Sequence, residues 1–141
     1  MLKQIHEDIR IDRAGLEEIL KLHVERTESI DRASTRVVLE VGTRTEGYGR
    51  SETDLPVFRG AKVETVTPTT QDDVLAVLGR RTFLFDEAEV KEAIGQYVAK
   101  ARGVSRAAVQ SSMMLSGRHQ GDRGGWEGPS LNGVTVTIKI V

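Results

Sequence analysis

Two glycine-rich stretches, residues 42–60 and 116–133, hold most of the residues whose types could do chemistry. Ten of the 14 glycines lie there, four in the first stretch and six in the second. Arginine guanidinium groups bind phosphate with paired hydrogen bonds, glycines let a ligand approach backbone amides, and Tyr or Trp stacks on a nucleobase. The candidate ligand-binding residues are Arg44, Tyr48, Arg50 and Arg59 in the first stretch and Arg118, His119, Arg123 and Trp126 in the second.

The chemistry that these residues favour is the binding of an anionic, nucleotide-like ligand in a pocket. A second interpretation stays open, because the stretches also contain acids, among them Glu46, Asp54, Asp122 and Glu127. The arginines could pair with these acids, and Trp126 could cover the core. Long connections between strands are commonly either functional or mobile. Both interpretations, a ligand site and a scaffold loop, are therefore kept.

The composition limits the class of protein. With 20 Lys and Arg against 21 Asp and Glu, the net charge is -1. This balance argues against a broad nucleic-acid-binding surface and against a polybasic membrane anchor. No apolar run approaches the roughly 20 residues that span a bilayer, and the start of the chain lacks the apolar core of a signal peptide. We expect a cytoplasmic protein with no membrane partner, for which the charge also disfavours nucleic acid.

Residue patterns typical of enzymes are missing from the sequence. There is no cysteine, which excludes thiolate metal sites and cysteine nucleophiles. The histidines His6, His23 and His119 lie far apart, and His23 falls on an apolar helix stripe that favours a core position. Ser111 and Ser112 lack the glycine context of a nucleophile elbow. We therefore expect no catalytic residue, no metal site and no cofactor, and we do not expect an enzyme.

The elements that must position these stretches recur along the chain. Residues 9–24 and 83–98 match in residue class at an offset of 74. Each contains an aspartate suited to a helix N-cap, Asp12 or Asp86, followed by apolar residues at helical spacing. Gly103 suits the C-cap of the second helix. Alternating or β-branched residues predict strands at residues 35–41, 61–66, 109–115 and 134–141.

These patterns predict an α+β fold built from a tandem duplicated unit of helix, strand, long loop and strand. The expected arrangement is an antiparallel sheet with the helices packed on one face. We expect a single compact domain over residues 1–141, made of two pseudo-repeats at about 9–66 and 83–141. A connector over residues 67–82 joins them.

The connector and the segments before the helices are less regular. Val74, Val77 and Leu78 predict a short third helix in the connector, started by Thr70. Short strands are expected at residues 9–11 and 82–85. A helix over residues 2–9 fits that segment nearly as well.

The second unit, residues 83–141, resembles small bacteriophage proteins in which an acid-capped helix ends near a glycine and a glycine-rich hairpin loop leads to a final strand. The matching pieces here are Asp86, Gly103 and the strand from Gly133 to Val141. Some phage proteins of this size sequester cyclic nucleotide or ADP-ribose-derived signals of host immunity. The resemblance implies that the arginines and aromatic residues of the two stretches form the ligand shell.

Three functions follow as hypotheses. The first is a non-catalytic, phage-encoded anti-defence protein that sequesters an anionic nucleotide-like signalling molecule, acting as a homo-oligomer in the host cytoplasm. The second is a phage accessory or structural protein that binds a host protein. The third, which the charge disfavours, is a nucleic-acid-binding protein.

Overall fold

A computed structural model of the chain describes residues 5–47, 53–72, 75–117, 119–120 and 128–140. In these ranges the elements are β1 (Ile5–Asp12), α1 (Arg13–Glu28), β2 (Thr35–Glu46), β3 (Thr53–Asp72), β4 (Leu75–Phe85), α2 (Glu87–Arg102), β5 (Val109–Ser116), β6 (His119–Gln120) and β7 (Ser130–Ile140). Short 3-10 turns precede β2 and β5, at Arg32–Ser34 and Arg106–Ala108. The order strand, helix, turn, strand, strand thus occurs twice.

The described strands form two antiparallel sheets, in the orders β1-β7-β5 and β2-β3-β4, and β6 pairs briefly with β3. The α+β class is confirmed, but there are two sheets where one was expected. The reason is an exchange of strands between the halves, since β1 pairs with β7 and β4 pairs with β3. The central strands β3 and β7 are then hydrogen-bonded along both edges. The β2–β3 hairpin and the β5–β7 pair therefore cannot join into one sheet through these strands.

Both helices begin and end as their sequences predict. The Asp12 carboxylate accepts a hydrogen bond from a first-turn amide of α1 at 2.7 Å. In α2 the Asp86 carboxylate accepts a hydrogen bond from the Glu89 amide, also at 2.7 Å. The Glu89 carboxylate in turn accepts one from the Asp86 amide. Gly103 ends α2 in the left-handed region with φ 66°, and Ser29 ends α1 in the same way with φ 56°. These caps satisfy amides and carbonyls that the helix ends leave open.

The hairpin strands run further into the first glycine-rich stretch than expected. β2 continues to Glu46 and β3 starts at Thr53, with backbone pairs such as Thr43 opposite Pro56. β-Branched residues in this segment favour the extended backbone over a long open loop. The two strands therefore occupy most of residues 42–60.

The expected third helix in the connector is wrong. Its described residues belong to β3 and β4, which pair antiparallel, with Val66 opposite Arg80 and Thr69 opposite Val77. The β-branched residues of this segment, such as Thr70 and Val77, favour strands over a helix. The strands expected before the helices are confirmed and are longer, because β1 already pairs at Ile5. The alternative helix over residues 2–9 is therefore wrong for the part described.

The core lies where the two helices pack on the two sheets. α1 packs on β7 and β2, and α2 packs on β3 and β5. The interior is mostly aliphatic and includes Phe58. Its most deeply buried apolar side chains are Leu16, Leu20, Val24, Val63, Val90, Ile94, Leu131, Val134, Val136 and Ile138.

Candidate functional site

Two of the sequence-predicted binding residues have described side chains, and both bond to their own hairpin. Arg44 pairs with Glu46 on the exposed end of β2. Arg59 donates a hydrogen bond from Nη2 to the Thr43 carbonyl at 3.0 Å. Its guanidinium lies over Gly42, where a Cβ atom would be only 2.0 Å from Arg59 Nε. These contacts fit the interpretation in which loop arginines are used within the scaffold.

The structure brings the two glycine-rich stretches together through backbone pairing. His119 in β6 lies opposite Asp54 in β3, and Gln120 lies opposite Thr53. The side chain of His119 and the residues Tyr48, Arg50, Arg118, Arg123 and Trp126 lie outside the described part of the structure. A ligand-binding role for the eight residues therefore stays a prediction.

A groove between the two helices is the surface that the sequence reasoning missed. It encloses about 610 Å³, and it is lined by Ile19, Leu22, His23, Glu25 and Arg26 of α1 and by Ala93, Tyr97, Lys100 and Ala101 of α2. A second cavity of about 540 Å³ shares Ile19, Leu22 and Tyr97 with it and extends toward Arg10, Gly15 and Asn132. We refer to the two together as the helix groove. The two parts adjoin at the three side chains that line both of them.

The middle of the helix groove is apolar and partly open to solvent. Ile19 lies at its base and is buried, Leu22 is half-buried, and Tyr97 keeps 43% of its surface exposed. An exposed tyrosine beside aliphatic side chains is typical of binding surfaces, since tyrosine gives a large contact area with a polar end.

The cations of the helix groove have no acidic partner in the described part of the chain. Arg26 donates to the neutral Gln96 side chain at 3.2 Å, and Arg10 donates to the Met114 sulfur at 3.4 Å. No described carboxylate lies within 4.0 Å of Arg10, Arg26 or Lys100.

The acids of the groove are engaged within the chain. Glu18 pairs with Arg32 at 3.7 Å, and the Arg32 amide donates to Glu25 at 3.0 Å. Asp12 caps its helix. The groove therefore combines apolar surface with both cations and acids, and Glu25 keeps its charge because it accepts only from a backbone amide.

His23 lies at one wall of the groove. Its ring meets Phe85 edge to face, with 5.8 Å between ring centroids, and its Nδ1 atom is buried without a hydrogen-bond partner among described groups. Burial lowers the pKa of His23 below its usual value, and the nearby Arg26 charge lowers it further. The expectation that His23 is a packing residue fits this position. A neutral imidazole is favoured here.

One signal in the sequence could have located this groove. Arg26 and Lys100 are separated by the repeat offset of 74, as are His23 and Tyr97. Each helix thus carries a cation three residues after a residue with a ring side chain. Such matching positions indicate that the two helices contribute to one shared surface.

Among the described residues, no group of three or more His, Asp or Glu side chains could hold a metal ion. None of the described helices is long and apolar enough to cross a membrane. Comparison of the chain with protein-family models, with curated proteins and with solved structures gives no match.

Proposed function

We propose that this chain is a non-catalytic binding protein that recognises a partner protein through the helix groove. The observation that carries the proposal is a partly exposed apolar strip, centred on Leu22 and Tyr97, beside Arg26 and Lys100, which have no carboxylate within 4.0 Å in the described part of the chain. Apolar centres with polar rims are the usual anatomy of protein interfaces. The phage origin, the cytoplasmic location and the homo-oligomeric state stay predictions beside it.

The chemistry of the groove supports binding over catalysis. His23 is the ionisable group of the groove with a lowered pKa, and its Nδ1 is buried against packing residues. General-base catalysis needs a group within hydrogen-bond reach of the substrate proton. Tyr97 and Leu22 instead provide contact area, and Arg26 and Lys100 provide charge at the rim.

Native mass spectrometry of the protein purified from its own cells tests this proposal. We expect a stoichiometric protein partner on the wild-type chain that is lost in Leu22→Ser. Leu84→Ser is the matched control, because Leu84 is 68% exposed on β4 outside the groove. Retention of the partner by Leu22→Ser, or equal loss in both variants, contradicts the proposal.

The anionic nucleotide-like ligand is a second candidate, favoured by the pairing of β6 with β3. This pairing sets the two glycine-rich stretches side by side, so their arginines could act on one ligand. The test is a thermal-shift titration with cyclic dinucleotides, cyclic trinucleotides and ADP-ribose derivatives. We expect a rise in Tm that Arg118→Ala and Arg123→Ala abolish. An unchanged Tm with all three ligand classes counts against this candidate.

A further inference from the structure

We propose that the outer end of the β3–β4 hairpin is a dimerisation arm that pairs edge to edge with the same arm of a second copy of this chain. The arm comprises residues 66–72 of β3 and 75–80 of β4. The inference does not depend on the helix groove. It is carried by a strand edge without a described partner strand, by an apolar run and by the placement of two charges.

At the arm the sheet narrows from three strands to two. Pairing of β2 with β3 ends at Thr35 opposite Thr65. β3 and β4 stay paired beyond that point, as far as Asp72 opposite Leu75. No other described strand pairs with the arm. Because a two-stranded hairpin is only marginally stable in water, a third strand would stabilise this part of the chain.

The outer edge of β4 is the edge that can accept a further strand. On β3 the arm contains Pro68, which lies opposite Leu78 of β4. A proline fits a strand ladder only where its nitrogen faces away from the partner, and it leaves that outer edge without an N–H donor. The sequence of β4 contains no proline, so every residue along its outer edge has an N–H group. A third strand therefore adds to β4.

β4 begins the arm with an unbroken apolar run, residues 75–78. An unbroken run is typical of strands that are covered on both faces, whereas strands with one face toward water alternate. Charged residues on an edge strand also prevent unwanted pairing. The edge strand β1 of the other sheet has this protection, since charged residues separate its isoleucines. The run in β4 lacks it, which favours strand addition at the arm.

The charges select a second copy as the added strand. Asp72 lies at the tip of the arm and Arg80 at its base, on opposite sides of the apolar run. Arg80 is exposed and forms no ion pair with a described carboxylate. Two arms that pair antiparallel about a two-fold axis lie tip to base, so the apolar runs meet and each Arg80 faces the Asp72 end of the other arm. Charge complementarity of this kind fixes register and orientation, and an arbitrary peptide strand does not supply it.

The same two charges cannot pair within one arm. Arg80 lies opposite Val66, and Asp72 lies six residues further along β3, a distance of about 20 Å at roughly 3.4 Å per residue. An energetic coupling between Asp72 and Arg80 would therefore report contact between two copies. The net charge of -1 adds little repulsion between the copies.

Sedimentation velocity of the full chain over a range of concentrations tests the inference. We expect a dimer whose dissociation constant rises about tenfold in Val77→Lys, because a lysine on the edge disfavours strand addition. Ile5→Lys is the matched control and should keep the dimer, since Ile5 is 56% exposed on the edge strand β1 of the other sheet. Leu22→Ser in the helix groove should keep it too.

Charge reversal tests the antiparallel arrangement. Asp72→Lys and Arg80→Glu should each weaken the dimer about fivefold, the loss expected for two exposed ion pairs. The double variant Asp72→Lys/Arg80→Glu should recover most of the wild-type affinity, because the two reversed charges again face each other. Thermal melts of each variant confirm that it is folded.

The possible failures separate this inference from the proposed function. A chain that stays monomeric at every concentration overturns the arm and leaves groove binding intact. So does a dimer that survives Val77→Lys or that is lost equally in Ile5→Lys. A dimer that is lost in Leu22→Ser places the second copy in the helix groove and also overturns the arm. If the double charge variant associates no better than the single ones, the arms do not lie tip to base and the proposed pairing is wrong.

Discussion

The two halves of the molecule build the same buried strand pair from different side chains. In the second half Val109 of β5 lies opposite Ile138 of β7, and both are buried. In the first half the corresponding pair is Thr35 opposite Thr65. Thr35 donates to the Arg32 carbonyl at 2.7 Å, whereas the Thr65 hydroxyl is buried without a described partner. Burying this hydroxyl lowers the stability of the first half, whereas the second half has an apolar pair at the same place.

A second difference lies where the 3-10 turn meets the helix. Arg106 lies across α2, with 2.9 Å between its Nη2 and a Glu92 carboxylate oxygen, and it also donates to the Val109 carbonyl at 2.8 Å. Gly95 makes this possible, since a Cβ there would lie 2.2 Å from the guanidinium carbon. At the equivalent place the first half has Lys21, and the corresponding pair, Arg32 with Glu18, is 3.7 Å apart. The same backbone therefore accommodates a short Arg–Glu ion pair in the second half and a longer one in the first half.

The largest expected effect concerns two glycines that the halves share. Gly60 and Gly133 have φ of 119° and 151°, and a Cβ would lie 2.1 Å and 2.4 Å from the carbonyl oxygens of Phe85 and Ile11. We expect Gly60→Ala and Gly133→Ala each to lower the free energy of unfolding by roughly 3 kcal/mol, because backbone must move. Urea denaturation measures the loss.

The control for this pair is Gly128→Ala, where no described atom lies within 4 Å of the new Cβ. This substitution should leave the free energy of unfolding nearly unchanged. A large difference between Gly60→Ala and Gly133→Ala would break the equivalence of the two halves at this position.

The buried strand pair gives the next effect. Thr65→Val should raise the free energy of unfolding by about 1 kcal/mol, because it removes a buried hydroxyl without a described partner. Ile138→Thr makes the opposite change in the second half and should lower it by about 2 kcal/mol. Urea denaturation of the two variants measures both. If Thr65→Val destabilises the protein, the hydroxyl has a partner and the contrast between the halves is wrong.

The helix C-caps give a smaller effect. Ser29 and Gly103 hold equivalent left-handed positions, which cost a serine more than a glycine. We expect Ser29→Gly to stabilise the protein by roughly 0.5–1 kcal/mol and Gly103→Ser to destabilise it by a similar amount. Among the described residues no atom lies within 4 Å of a Cβ at Gly103, so the second change tests backbone conformation. Calorimetric melting of the pair should give shifts of opposite sign.

The smallest effect is a pH dependence from His23, whose counterpart in the second half is Tyr97. Because the folded-state pKa of His23 is lowered from 6.5, the unfolded chain binds its proton at a higher pH than the folded chain does. The free energy of unfolding should therefore rise as the pH is raised through the range just below 6.5. Urea denaturation between pH 5 and 8 should show a weaker slope for His23→Gln. An unchanged slope would show that His23 does not contribute.

Local features of the fold could be predicted from the sequence, and long-range ones could not. Asp12, Asp86 and Gly103 act within one helical turn, so their spacing is enough to place the caps. The pairing of β1 with β7 spans more than a hundred residues of sequence, as in Ile9 with Val136. No periodicity carries that information.

The candidate site shows the same division. Residue types identified the arginines of the glycine-rich stretches, but Arg44 and Arg59 bond to neighbours on the paired strand, which composition does not reveal. The helix groove depends on which faces of α1 and α2 meet. Tyr97 lies at helical spacing with the apolar residues of α2, but the packing of the two helices leaves 43% of its surface exposed.

Hydrogen–deuterium exchange of the complex purified from its own cells compares the two candidate surfaces most directly. Binding through the helix groove predicts that the partner slows exchange in α1 and α2, at residues 19–26 and 93–101. Exchange in residues 42–60 and 116–133 should change little. Slowing confined to those two stretches, with both helices unchanged, would contradict groove binding.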